Sequence, residues 1–576
     1  KQNFLRHHAR KTDVGRRPAE IITQQMNFGG KEYKFAVILP WIGKVVRHYK
    51  LKMCLNVVLG WTVVGLNFLF VWTTKNAIDM ATVYHNQWAL RFACAMLVVI
   101  IILQAVISAI NRRLKTLLSF NMNRRMQEHL FHHAVSANWK DINEYHTGDI
   151  VRRFEEDGTE IISFVNGTIP TILLVLLQLG GAYVFLFVLS KDIAIVLAVI
   201  MILGIVISKF HFLKIRSFSA KIKECGSRLQ AALQEGVQNI SVLKALTGQN
   251  LFAKYYSGIF DIQKGNIKRR LTYSVLSSTV LNLGFAACYL FVFIWGVLNL
   301  ETGAITYGTL MAFVQLTGQI QGPSRTLINS ISDFAEFYTS CERLNEIDSI
   351  NSEKSTGKSV PFSGVPGICC ENISYRYSDN KRTVINNFSH TFKPGTMSAI
   401  VGTTGAGKTT LIRLLLSYVS PCSGHTYIIC GNDKREISAD TRCAFAYVPQ
   451  GNSLLSMTLR DNLRLANPEA TDTQMLQALE WACADFITHN REGLDTQCGE
   501  SGRGLSQGQA QRLCIARALL SPSPILLMDE ATSALDSETE EKILHNIRNN
   551  IKDKTILFVT HRDAVIKYAD ETVRIS

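Results

Sequence analysis

Apolar and polar positions are unevenly shared along this chain. Long apolar runs crowd between positions 53 and 323, and the stretch after them has the mixed pattern of a soluble α/β domain. Six segments stay apolar for about 20 residues, the length an α-helix needs to cross a hydrocarbon core. They are 53–74, 92–110, 166–190, 192–210, 275–298 and 304–323, and within these limits the one carboxylate is Asp192, at an edge. The two long connections, 111–160 and 211–272, keep a helical pattern and predict extensions of the membrane helices into water. Each is broken once, at 138–146 before Gly148 and at 240–248, where a short crossing helix is expected. Such breaks are where a membrane domain can press on a neighbouring domain, although plain helix–turn–helix connections have the same spacing.

Charge orients these helices. Arg112, Arg113, Lys115, Arg124, Arg125, Arg152 and Arg153 fall in the first long connection and a similar basic set in the second, whereas 75–91, 191 and 299–303 are nearly free of positive charge. By the positive-inside rule both long connections, both termini and the C-terminal domain are expected in the cytoplasm, with the chain integral to the cell (inner) membrane. The same loops account for most of the net charge of +15, so no nucleic-acid partner is called for. The expected domains are a basic tail (1–35), too short for a peptidase domain, a six-helix membrane domain with an amphipathic first segment (36–345), a linker (346–366) and a nucleotide-binding domain (367–576). Thirteen cysteines without paired spacing read as reduced thiols.

The candidate chemistry begins at Gly402, Thr403, Thr404, Gly405, Ala406, Gly407, Lys408, Thr409 and Thr410, which fit G-x-x-x-x-G-K-[ST] between a predicted strand and a predicted helix. Glycines let backbone N–H groups close around phosphates, Lys408 can reach the outer phosphate oxygens, and the Thr409 hydroxyl can hold Mg²⁺. ATP and Mg²⁺ are the expected cofactors. Further on, the apolar run from Ile525 ends in Asp529 and Glu530, a pair able to hold a metal ion and activate a water. Ser506 fits a helix cap whose hydroxyl, with the first free N–H groups of the helix, could hold an anion. Taken singly, Asp529, Glu530 and His561 are equally compatible with a solvated strand end and a structural histidine.

Their order is more specific. With Tyr447, Val448, Pro449 and Gln450, the run Leu505-Ser506-Gln507-Gly508-Gln509, Asp529 and Glu530, Ser533 to Asp536, and His561 following in sequence, the chain resembles an ATP-binding cassette (ABC) exporter half-transporter from about residue 36 to 576. The resemblance implies a helical membrane domain joined to an α/β P-loop ATPase. It gives Glu530, His561 and Gln450 catalytic roles, and Thr409, Gln450 and Asp529 the metal. It gives nucleotide contacts to Tyr377, as an adenine-stacking ring, to the phosphate loop, and to Ser506, Gly508, Gln509 and Asp536. One departure stands in the signature motif, where Gln507 replaces the family's usual glycine. The resemblance also implies a second copy of the chain, or a related half-transporter, as partner in the lipid bilayer. The implied function is ATP-driven export or flipping of a small amphiphilic substrate by alternating access; an ATP-gated channel or regulator on the same scaffold is the alternative. Polar residues in the spans, among them Asn67, Gln104, Gln178, Asn282, Gln315 and Gln319, could line a cavity or join helices.

Overall fold

The computed structural model describes residues 42–43, 46–353, 362, 364–377, 383–403, 405–487, 492–499 and 504–575. The basic tail, most of the amphipathic segment, Thr404, and Gly502 and Arg503 lie outside the described residues. The chain separates into two compact units, one of residues 1–131 and 148–346, the other of 132–147 and 347–576. The first predicted crossing helix therefore belongs to the second unit.

Six long helices follow the predicted spans: α1 (Lys50–Thr82), α2 (Gln87–Ser136), and, after the short α3 (Trp139–Ile142), α4 (Thr147–Leu189) and α5 (Lys191–Gln238). The short α6 (Ile240–Ala245) then precedes α7 (Gln249–Glu301) and α8 (Tyr307–Asp348). Among the described residues four helices are long and apolar enough to cross a membrane, those at 47–82, 87–136, 147–189 and 249–301; α5 and α8 cover the other two predicted spans. Helices α2, α5 and α7 have 50, 48 and 53 residues. At about 1.5 Å per residue each exceeds twice the roughly 30 Å of a hydrocarbon core, so each must continue into water. Both predicted short helices are present, and the side chain of Asn138 caps α3 by accepting from Lys140 N at 3.1 Å.

Packing explains several polar residues in the spans. Gln104 Nε2 donates to Asn67 Oδ1 at 3.1 Å and ties α2 to α1, while Gln178 Nε2 donates to the Gln319 carbonyl at 3.5 Å and ties α4 to α8. The carboxamide oxygens of Gln315 and Gln319 are buried without a partner. Two π turns interrupt α4, at Arg153–Asp157 and Phe164–Thr168. Their extra residues turn Asp157 toward Ser340 Oγ (2.9 Å) and Asn166 toward Ser119 Oγ (2.6 Å), on α8 and α2.

Helix α1 also runs eight residues past the predicted span and brings in a carboxylate that the apolar pattern left out. Asp79 is 5% exposed, pairs with Lys75 Nζ at 3.0 Å and accepts from Gly308 N at 3.0 Å. It thereby occupies a free N–H in the first turn of α8. A side chain at Gly308 would meet Lys75 O at 2.3 Å, so the two helices touch through backbone there.

In the other unit, strands β1 (Gly367–Tyr375), β2 (Ile385–Phe392), β4 (Ser423–Cys430) and β5 (Asp433–Glu436) form an antiparallel sheet in the order β2-β1-β4-β5. A second sheet is parallel, in the order β6-β7-β8-β3-β9, from β3 (Met397–Val401), β6 (Phe445–Val448), β7 (Ile525–Asp529), β8 (Thr555–Val559) and β9 (Glu571–Arg574). Every residue of β7 and β8 is buried, which is why ILLMD and TILFV read as unbroken apolar runs. The helices around this sheet are α9 (Lys408–Leu415), α10 (Leu459–Arg464), α11 (Asp472–Trp481), α12 (Gln507–Leu520), α13 (Ser537–Asn550) and α14 (Asp563–Tyr568).

Replacing Asp79 by alanine should strand the Gly308 N–H and Lys75 together, costing about 1–3 kcal/mol. Asp79→Asn, which keeps an acceptor, should cost less. Thermal unfolding of the detergent-solubilised protein measures both, and an unchanged midpoint for Asp79→Ala would remove Asp79 from this role.

Candidate nucleotide site

Four neighbouring parallel strands deliver the site to one edge of the sheet. Because β6, β7, β8 and β3 lie side by side and run the same way, the residues after their C-terminal ends must gather there. Gln450 follows β6, Glu530 follows β7, His561 follows β8, and the phosphate loop follows β3.

The loop turns into α9 at Gly407, whose φ of +99° and whose missing Cβ, which would lie 3.0 Å from Val384 O, both require glycine. Gly402, Thr403, Gly405 and Ala406 form the described part of the loop before it, closed by Ala406 N donating to Thr403 O at 3.1 Å. Lys408 folds back across it, its Nζ donating to Gly402 O at 2.7 Å and Thr403 O at 3.1 Å. This brings a cation and the free N–H groups of a helix start to one place, the requirement for holding phosphates. Beside them, Tyr377 stands edge-on to Tyr375 with centroids 4.9 Å apart. Its hydroxyl lies 3.3 Å from Thr410 Oγ1 and accepts from Arg413 Nη1 at 2.8 Å.

Asp529 is 2% exposed, and its Oδ2 is buried with no hydrogen-bond partner. Burial first, then the charge of Glu530, pushes its carboxyl up to about 6, against the pull of Arg413, Lys408 and the Thr409 hydroxyl. An orphaned carboxylate oxygen beside a threonine hydroxyl fits a divalent cation, which would supply the missing positive charge.

Glu530 is held differently. Its φ is +48°, a left-handed conformation that costs a non-glycine residue about 1–3 kcal/mol. Its N–H donates to Val559 O at 3.0 Å. Its Oε2 accepts from Gln450 Nε2 at 2.7 Å, and its Oε1 lies 3.6 Å from His561 Nδ1. A carboxylate flanked by an amide donor and a largely exposed imidazole is an arrangement able to orient and deprotonate a water.

The signature residues sit behind these groups. Ser506 caps α12 as expected: Gln509 N donates to Ser506 Oγ at 3.2 Å, and Ser506 N donates to Gln509 Oε1 at 2.8 Å. A Cβ on Gly508 would lie 3.0 Å from Ala534 O, so α12 starts against the 533–536 loop, and Gln507 is exposed beside it. Asp536 caps α13 by accepting from Thr539 N at 2.9 Å, and that backbone bond lowers its carboxyl pKa. The side chains of Gln509 and Asp536, both expected at the nucleotide, thus also serve local helix caps.

Three contacts had no sequence signal beyond composition. Trp139 of α3 stacks on Tyr418 with centroids 5.0 Å apart and planes 13° apart, and Arg413 lies 5.2 Å from its ring. Arg562, next to His561, donates to Ser533 O at 2.7 Å and to Leu535 O at 3.1 Å. Gln511, one turn into α12, bonds to Glu530 and Ala534.

Residues 53–324 match the ABC transporter transmembrane region, and residues 385–533 match the ABC transporter domain that binds ATP. The chain belongs to the ABC transporters. Among curated relatives it is 29% identical over 512 residues to the leukotoxin translocation ATP-binding protein LktB of a Pasteurella haemolytica-like species (strain 5943B), and 29% identical over 508 residues to that of Mannheimia glucosida. Each alignment covers 86% of this chain and 70% of the relative. A bacterial Atm1-family ABC exporter solved with ATP bound has the same fold, with a TM-score of 0.77 and 21% identity over 92% of this chain and 95% of the other. As an ABC transporter with its own ATPase domain, the chain is an integral membrane protein that binds ATP and couples its hydrolysis to transport.

Because the Asp529 carboxyl is raised to about 6 from an ordinary 3.8, the folded protein holds that proton more tightly than the unfolded chain. Its contribution to stability is therefore greatest at low pH and is lost as pH rises from about 4 through about 6. Without divalent cations at pH 8, Asp529→Asn should melt above the unsubstituted protein, and the gap should close below about pH 4. A gap independent of pH would contradict the assignment. Lys408→Ala should lose ATP affinity, read by a labelled ATP analogue.

Proposed function

We propose that this ABC transporter is one half of a dimeric exporter of the cell membrane that moves an amphiphilic substrate outward by alternating access. The observation that carries the reading is the strand-edge cluster, in which the phosphate loop, Asp529, Glu530, Gln450 and His561 converge within a single chain. Such a site is complete for chemistry on its own side of the nucleotide. Mg²⁺ would be held by Thr409 and Asp529, with Gln450 close by, and would neutralise phosphate charge. Glu530 takes the proton of the attacking water, His561 and Gln450 hold Glu530 in line, and Lys408 binds the outer phosphates.

The position of α12 supports a second chain. Its first turn lies against the 533–536 loop, behind the carboxylates, so Ser506 and Gly508 are left to close over the phosphate loop of a partner. Two such closures sandwich two ATP molecules, and hydrolysis reopens them. Binding energy is thereby spent on a two-state element. Coupling to the membrane helices runs through residues 138–146, which join α2 to α4 and pack Trp139 against Tyr418 and Arg413. Both termini and the ATPase domain are cytoplasmic on this reading, as the basic loops require. An amphiphilic cargo is supported by the buried, unpartnered carboxamide oxygens of Gln315 and Gln319 among the largely apolar side chains of the membrane helices. Since the relatives are named for leukotoxin translocation, polypeptides belong beside lipids and drug-like amphiphiles among the cargoes to test.

Glu530→Gln should keep ATP binding and slow hydrolysis by roughly 10² or more, trapping a closed dimer. Near-normal turnover of that variant would remove Glu530 from the base role. Cysteines at Thr403 and Ser506 should form an ATP-promoted crosslink between two chains, seen as a doubled mass on a non-reducing gel. A purely intramolecular bond would overturn the dimer. ATP-dependent accumulation of cargo against a gradient in sealed vesicles separates an exporter from an ATP-gated channel.

A further inference from the structure

Gln511 is 2% exposed, and both ends of its carboxamide are in use. Nε2 donates to the Glu530 carbonyl at 3.1 Å and to Ser533 Oγ at 3.4 Å, and Oε1 accepts from Ala534 N at 2.9 Å. The Glu530 carbonyl also accepts from Ser533 N at 3.1 Å, and the Glu530 N–H is tied to Val559 O at 3.0 Å. The left-handed Glu530 residue is thus pinned at its N–H by the end of β8 and at its carbonyl by Gln511 and the turn that follows it. A residue at φ +48° persists only where its surroundings over-determine it. Among the described residues, the one side chain that bonds the Glu530 backbone from outside the turn stands on α12, five residues after the Ser506 cap.

The far side of the same loop is held by Arg562, whose Nη1 also donates to the buried Glu540 at 2.9 Å. Its bonds to Ser533 O and Leu535 O leave the 533–535 turn clamped between the signature helix and the residue next to His561. A change in the position of α12 therefore reaches the Glu530 peptide through one carboxamide, without passing through the nucleotide.

We propose that Gln511 is a positioning residue for hydrolysis: its carboxamide fixes the Glu530 peptide in the conformation that aims the carboxylate at the water, and so transmits the seating of the signature helix to the base of its own chain. The inference rests on the reading of Glu530 as that base. No bond is made or broken at Gln511 itself.

A structural role alone would lower stability while leaving turnover per folded molecule unchanged, so the test separates the two. Gln511→Met, close in shape but without the hydrogen bonds, and Gln511→Glu, which keeps the acceptor for Ala534 N and loses the donor to Glu530 O, are assayed as full-length protein in lipid. Two variants guard against one failing to fold. The expected result is a kcat lower by about tenfold or more with KM for ATP within about twofold, since an interaction needed only in the transition state is removed. In a Glu530→Gln background the same substitutions should cost less than about twofold more, because a base already removed cannot be misaimed. If Glu530→Gln alone slows hydrolysis but the Gln511 variants keep kcat, or if their losses multiply with that of Glu530→Gln, the positioning role is overturned. If Glu530→Gln itself leaves turnover intact, the base reading falls and this inference with it.

Discussion

Asp529 and Glu530 are consecutive carboxylates at the end of a strand whose five residues are all buried, and the burial of Asp529, with the charge of Glu530 beside it, is the constraint on which the rest of this site depends. The chain separates the two by backbone geometry. Asp529 stays in register with Val559 at the end of the sheet, while Glu530 turns into the left-handed region and leaves the strand direction at once. One carboxylate is then kept buried, with an unpartnered oxygen that fits a cation, and the other faces Gln450 Nε2 and the exposed His561 ring. Two identical functional groups acquire different chemistry from one backbone dihedral.

That dihedral has to be maintained from several directions, which explains why the surrounding elements are so tightly ordered in the chain. Val559 O holds it from β8, Gln511 from α12, and Arg562 fixes the turn that follows. Each of these lies within a few residues of another functional group: His561 beside Arg562, Ser506 five residues before Gln511. The residues that hold Glu530 and the other candidate site residues are interleaved in sequence because they share the same strand ends.

Much of this was legible from local pattern. The phosphate loop needs glycine where φ is positive, a serine can cap the helix that follows it, and a parallel strand buried on both faces reads as an unbroken apolar run; all three are rules of neighbouring residues. What escaped is non-local. Asp79 lay beyond the apolar limit of its segment, yet a carboxylate is tolerated there because the first turn of α8 presents an unfilled N–H. The π turns of α4 have no composition of their own and show only through the partners of Asp157 and Asn166. Gln511 sits on a helical face that periodicity reads as core, and only the fold brings the Glu530 carbonyl to it.

The same distinction bears on how the ATPase unit and the membrane helices communicate. The break at 138–146 was visible as an interruption of helical pattern and was expected to meet the nucleotide domain, but the residues it meets there were not. In the folded unit Trp139 stacks on Tyr418 with Arg413 also over its ring, and Arg413 in turn donates to the hydroxyl of Tyr377. Arg413 stands on the helix that starts at Lys408, so the cation–π contact, worth about 0.5–2 kcal/mol, joins the connection between α2 and α4 to the helix that carries the phosphate loop. A displacement of α9 on nucleotide binding would have to break that contact or carry Trp139 along with it. Tyr418 also stacks on Trp139, and the Asn138 N–H donates to Asn351 O at 2.9 Å, so α3 is tied into its own unit by ring stacking, a cation–π contact and a backbone hydrogen bond together.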